Sequence, residues 1–186
     1  MKTKLNLIIF LIFVVSLKSN AQELFNNEKY GFSVDGPKGW LIINYEDIKK
    51  PISHSHGRQN LITYYKNPNN IDGVVNPTIH IYVVPNNFKD INAFNKKMQR
   101  RRYEKHLANY SLKDKPQLLT IGGKHGAFEV STYSTFQKNE DLNVKRRSYV
   151  FPTKKFLYCV SLVDEIESEE NTAIFKALVE SIKIEK

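Results

Sequence analysis

Two histidines one residue apart, His54-Ser55-His56, are the side chains in this 186-residue chain whose types and spacing come closest to a reactive centre. In an extended segment, residues two apart project to the same side, so the two imidazoles could share a zinc or copper ion. A third ligand would have to come from His80 or His125, the histidines outside the first helix. The alternative is a pair of solvated loop histidines ahead of Gly57-Arg58. No other cofactor is expected.

The remaining constellations fail on chemistry. Gly31-Phe32-Ser33-Val34-Asp35 carries Asp35 where a nucleophile elbow requires glycine, and it leads into Gly36-Pro37 rather than a helix. No glycine-rich loop ends in Gly-Lys-Ser/Thr. A calcium loop keyed on Gly73 would begin at Pro68 and end at Ile79, neither of which offers a side-chain oxygen. Cys159 is the single cysteine, so no internal disulfide forms. It alternates with apolar neighbours over 156–163, which predicts a buried, inert thiol. No catalytic centre emerges, and a non-enzymatic protein is the expectation.

The charged residues suggest a second kind of site. Lys96, Lys97, Arg100, Arg101, Arg102 and Lys105 crowd one helical segment, and Lys145, Arg146 and Arg147 follow on a later strand. Read functionally, these are an electrostatic docking surface for an anionic membrane or protein; read structurally, they are a solvated face.

The elements that must position these groups are legible from periodicity. Residues 30–34 alternate as a half-buried strand, the Gly36-Pro37-Lys38-Gly39 turn reverses the chain, and 40–44 return as a second strand. Further strands are expected at 61–66 and at 78–84, the latter with Ile79, Ile81 and Val83 on one face and His80 and Tyr82 on the other. Asp90 is placed to cap a helix running to about Ala108, with Ile91, Phe94 and Met98 on one side and no apolar stripe beyond Met98. Four strands follow at 117–121, 127–137, 143–151 and 156–163, joined by hairpin turns. Ser168 is expected to cap a last helix whose docking stripe is Ile174, Phe175, Leu178, Val179 and Ile182. Two amphipathic helices on an antiparallel sheet make an α+β fold, an α/β/α sandwich.

With that layout the chain resembles the PsbP-like family, whose fold is shared with Mog1. The resemblance rests on Tyr30-Gly31-Phe32-Ser33-Val34, Gly36-Pro37, Gly39-Trp40, the stretch from Gly122-Gly123-Lys124 to Val130, the strand Lys155-Phe156-Leu157-Tyr158-Cys159-Val160, and the closing run from Phe175 to Ser181-Ile182. It implies a Mog1/PsbP-like α/β/α sandwich. For function it implies an accessory or binding role, since the founding members are extrinsic, non-enzymatic subunits docked on a membrane photosystem. Bacterial members are often exported proteins.

The first 21 residues set the address. Lys2 and Lys4 precede the apolar run 7–17, and Ser19 and Ala21 stand where a processing site wants small residues. That pattern predicts a cleaved secretory signal over 1–21 and a single domain over 22–186. The apolar run is shorter than the about 20 residues a spanning helix needs, so no transmembrane span is expected after processing. No cysteine at the processing site offers a lipid anchor. The mature chain would carry 25 Lys and Arg against 19 Asp and Glu, a net charge of +6 compared with +9 for the whole chain. In a secreted or periplasmic protein, that excess points to lipid headgroups, wall polymers or a partner protein, and not to nucleic acid.

Overall fold

The computed structural model describes residues 23–45, 57–67, 74–100, 107–137 and 140–185. The expected signal segment, His54, His56, Arg101, Arg102 and Lys105 lie outside the described residues.

The chain opens with β1 (Leu24–Asn27) and a 3-10 turn over Glu28–Tyr30, then β2 (Phe32–Asp35). Asn27 builds this turn, because its side-chain oxygen accepts the Tyr30 N–H at 3.1 Å. Gly31 closes it at φ 55°, a left-handed conformation that suits glycine. Tyr30 thus belongs to the turn, where the alternation had suggested strand. β3 (Leu41–Asn44), β4 (Gln59–Tyr65) and β5 (Thr78–Pro85) follow, then helix α1 (Ile91–Arg100). The later elements are β6 (Ala108–Leu112), β7 (Gln117–Ile121), β8 (Lys124–Gln137), β9 (Glu140–Pro152), β10 (Phe156–Glu165), helix α2 (Thr172–Ser181) and β11 (Lys183–Ile184).

All pairings are antiparallel. Eight strands form one sheet in the order β3-β4-β5-β10-β9-β8-β6, with β7 also paired to β8. β1, β2 and β11 form a separate three-stranded sheet. The result is the expected α+β fold of a mostly antiparallel sheet with two helices, with one refinement: α2 shares its side with the small sheet.

Alternation assigns the two faces of the large sheet. Ile79, Ile81 and Val83 of β5, Tyr158, Val160 and Leu162 of β10, and Tyr149 and Phe151 of β9 are buried together with Phe175, Leu178, Val179 and Ile182. Phe32 and Val34 of the small sheet complete this main core. The Phe32 and Tyr158 rings stack at 5.8 Å, and the Tyr158 hydroxyl donates to the Tyr30 carbonyl at 2.5 Å. On the opposite face, Phe94 and Met98 of α1 pack on Ala127, Val150 and Cys159. Cys159 is therefore buried as expected.

Three expectations are corrected. Ala108 begins a strand rather than ending a helix, and α1 is described only to Arg100. Ile91 is exposed, so Phe94 and Met98 are the buried apolar anchors of α1 among the described residues. Ser168 does not cap α2; its hydroxyl donates to Asp164 at 3.0 Å, as does the Asn171 amide at 2.9 Å, and Asn171 takes the N-cap place. Asp164 is buried, and a buried carboxylate draws in whatever donors lie near it.

Candidate functional site

The basic side of α1 begins with how the helix is held. Asp90 caps it as expected, accepting the Ala93 N–H at 2.8 Å. With Phe94 and Met98 turned into the sheet, Lys96, Lys97 and Arg100 are left exposed, and none of them is in an ion pair within the described residues. The rim of the helix is tied down where His125 Nε2 meets Asn95 Oδ1 at 3.0 Å.

The strand cations do not join this surface. Lys145 and Arg147 point to the main-core side of β9, where Glu169 binds both, Lys145 Nζ at 2.8 Å and Arg147 Nη2 at 2.6 Å. Arg147 also donates to the Ser168 carbonyl at 3.0 Å. Bonds from Lys145, Thr172 and Arg147 hold the Glu169 carboxyl at about 2, well below the usual carboxylate range. These cations are therefore neutralised from within and fasten the segment leading into α2. Arg146 points the other way, to the face that carries α1, with its guanidinium 3.4 Å from Glu129, 5.6 Å from the Tyr133 ring and 6.0 Å from the Tyr110 ring.

Arg146 lies beside a polar row that crosses five strands on that face. Cross-strand register places Thr63 opposite His80, His80 opposite Ser161, Ser161 opposite Ser148, and Ser148 opposite Glu129. Thr63 Oγ1 is 3.2 Å from His80 Nδ1, and the Ser148 and Ser161 hydroxyls are 2.8 Å apart. Thr63, Ser148, Ser161 and Glu129 are all buried. Burial, reinforced by the charge of Arg58, holds the His80 imidazole neutral, with its pKa down at about 4. Arg58 stacks 3.8 Å above Tyr82 and donates to Asn60 at 2.9 Å. Sequence reasoning placed His80 and Tyr82 on this second face but missed the row, because each member sits on a different strand and only the register unites them. The contacts do not build a nucleophile and base: His80 Nδ1 faces Thr63, and the two serines face each other.

For a metal, no group of three His, Cys, Asp or Glu is gathered among the described residues. His80 and His125 are each engaged as above, and the histidine pair at 54 and 56 lies outside the described residues. No helix among the described residues is long and apolar enough to cross a membrane.

A third feature lies on the main-core side, at the other end of the sheet. A groove of about 480 Å3 runs between β1 and the β3–β4 pair, with Phe25 of β1 and Ile42, Ile62 and Tyr64 of β3 and β4 among its lining. Tyr64 is fully buried, and its hydroxyl has no hydrogen-bond partner among the described residues. An unpaired buried hydroxyl costs about 1–3 kcal/mol.

No protein-family model matches the chain, and no curated protein does. Solved structures do. The chain superposes on a Bacteroides thetaiotaomicron protein at TM-score 0.53 and 12% identity, covering 90% of this chain but 49% of that one, so it spans about half of that neighbour's length. A Pseudomonas aeruginosa protein of unknown function, PA94, matches at TM-score 0.53 and 9% identity over 89% of this chain and 99% of that one. Cyanobacterial PsbP from Synechocystis, CyanoP, matches at TM-score 0.51 and 10% identity over 89% of this chain and 94% of that one. At these identities the likeness is one of fold, and the fold of this chain is PsbP-like.

Proposed function

We propose that this chain is an exported, non-enzymatic accessory protein of the bacterial envelope, of the PsbP-like kind, which attaches to an anionic protein or envelope surface through the basic side of α1. The observation that carries this reading is the contrast within one set of cations. Lys145 and Arg147 are consumed by Glu169, whereas Lys96, Lys97 and Arg100 stand exposed on a helix anchored by two buried side chains. Exposed cations with no ion-pair partner among the described residues act on what approaches from outside, over about a Debye length. The PsbP-like fold and the leader pattern at 1–21 support the export and accessory parts of the reading.

Sedimentation with vesicles containing anionic phospholipid tests the docking step. Binding should be clear at low salt, fall as salt rises, and be absent with purely zwitterionic vesicles. Binding that ignores both salt and lipid charge would refute it. Mass spectrometry of the envelope form tests export, with a mature chain starting at Gln22 as the expected result and an intact Met1 as the contrary one.

A further inference from the structure

A cleft at the start of α1 lies apart from the basic side of that helix and stands independently of the proposed function. It opens between the loop from β5 to α1 and the turn from β9 to β10. Its volume of about 340 Å3 falls within the roughly 300–1,000 Å3 usual for ligand sites. Phe88, Ile91 and Pro152 give it an apolar surface. Ile91 is 45% exposed, and Phe88 and Pro152 are partly exposed, so all three can meet an occupant. The fully buried Phe94 supports the Phe88 ring edge-on at 5.5 Å.

The polar groups of the same walls are already engaged by the fold. Asn86 donates its main-chain N–H to the Lys155 carbonyl at 2.9 Å and its side-chain amide to the Thr153 carbonyl at 2.6 Å. Its side-chain oxygen accepts the Phe88 N–H at 2.9 Å. The Thr153 hydroxyl bonds within its own turn, to the Phe156 main chain. These bonds fix the two walls against each other before anything binds, which lowers the cost of binding. They also leave little for a peptide main chain to pair with, so the body of the fitting occupant is hydrocarbon. Lys89 and Lys154 stand exposed in the lining, and neither forms an ion pair among the described residues. Asp90 is the carboxylate among the described lining residues, and it is set against the positive end of α1, accepting the Ala93 N–H. The rim is therefore positive and selects a negative head.

We infer that this cleft takes one hydrocarbon chain of an anionic lipid, laid along Phe88, Ile91 and Pro152, with its phosphate or carboxylate head set against Lys89 and Lys154. The exposed cations of α1 attract any anionic surface; a chain-binding cleft distinguishes a lipid from other polyanions.

Isothermal titration of the intact protein with decyl phosphate, kept below its micelle-forming concentration, tests this. The ligand should bind at one site, with amide shifts clustered at 86–91 and 152–154. Octyl phosphate, two methylenes shorter, should bind about fifteenfold more weakly, since each buried methylene is worth about fourfold. Decanol, which lacks the charge, should bind about fivefold more weakly than decyl phosphate. Ile91→Asp should weaken decyl phosphate at least about tenfold and leave the melting temperature unchanged, because an acidic residue suits the first turn of a helix. Joint reversal of Lys89→Glu and Lys154→Glu should remove the preference for decyl phosphate over decanol. No binding of decyl phosphate, equal affinity for the octyl and decyl chains, equal affinity for decanol, or binding unchanged by Ile91→Asp would each overturn the assignment. Tighter binding of trileucine than of decyl phosphate would overturn it in favour of a polypeptide tail. Vesicle sedimentation reports on the basic side of α1 and monomeric decyl phosphate on the cleft, so either reading can fail without the other.

Discussion

The two faces of the large sheet are covered by helices in opposite ways. α2 buries Phe175, Leu178 and Val179 in the aromatic main core, and Glu169 and Asp164 fasten its approach with short ion pairs and hydrogen bonds. α1 buries Phe94 and Met98 over a face whose neighbouring row is polar, and it turns outward three cations that form no ion pair among the described residues. One side spends its polar groups on holding the fold. The other leaves its charge exposed, which is why docking is proposed there.

The largest expected effect separates the two cores. Phe175→Ala should lower the unfolding free energy by about 3–5 kcal/mol, the usual range for a buried Phe truncated in a packed core. Phe94→Ala should cost less, toward about 3 kcal/mol, because its cluster is smaller and can relax. Denaturant unfolding monitored by circular dichroism measures both, and equal losses would erase the asymmetry between the faces.

The polar row should show next, through pH. His80 has a folded-state pKa of about 4 against 6.5 when unfolded, so the unfolded chain binds the extra proton first. Stability that is fully present above pH 6.5 should therefore fall as pH drops from 6.5 to 4, by on the order of 2–3 kcal/mol. His80→Asn should flatten that slope in a urea titration series. A slope of unchanged steepness would mean that His80 is more open to water than its place in the row implies.

On the α2 side the pH dependence lies lower and is smaller. Glu169 is depressed to about 2, so its contribution is intact above about 4.5 and is lost as pH falls toward 2. Its carboxylate is 69% exposed, so Glu169→Gln should cost only about 1 kcal/mol at neutral pH, read as a drop in melting temperature.

Much of this fold is written in local pattern. The alternation in β5, β9 and β10 and the stripe of α2 come from residues that repeat at period two or along a helical face, so a window of ten residues holds the signal. β1, β6 and β11 escaped because they are short or polar, reading LFNN, ANYSL and KI, and are strands by virtue of their partners. The expected end of the first helix at about Ala108 is overruled by Ala108 itself, which begins β6 through its pairing with Ser134 of β8, a partner that no local window contains. Ser168 looked like a cap by its neighbours in sequence, yet Asp164 claimed it through the fold. The basic helix could be seen as a run of letters. That Lys145 and Arg147 would be neutralised while Lys96, Lys97 and Arg100 would not depends on which face of β9 each residue takes and on where Glu169 arrives.

The smallest effect on stability carries the most weight for function. The triple variant Lys96→Glu, Lys97→Glu, Arg100→Glu alters exposed side chains only, so its melting temperature should match the wild type within about 0.5 kcal/mol of stability. A matched control reverses Lys29, Lys176 and Lys183, which are exposed elsewhere. Sedimentation with anionic vesicles at low salt should show binding abolished in the α1 variant and largely kept in the control. Equal losses in the two variants would mean that net charge alone acts, and undiminished binding by the α1 variant would contradict the assignment of the docking surface to α1.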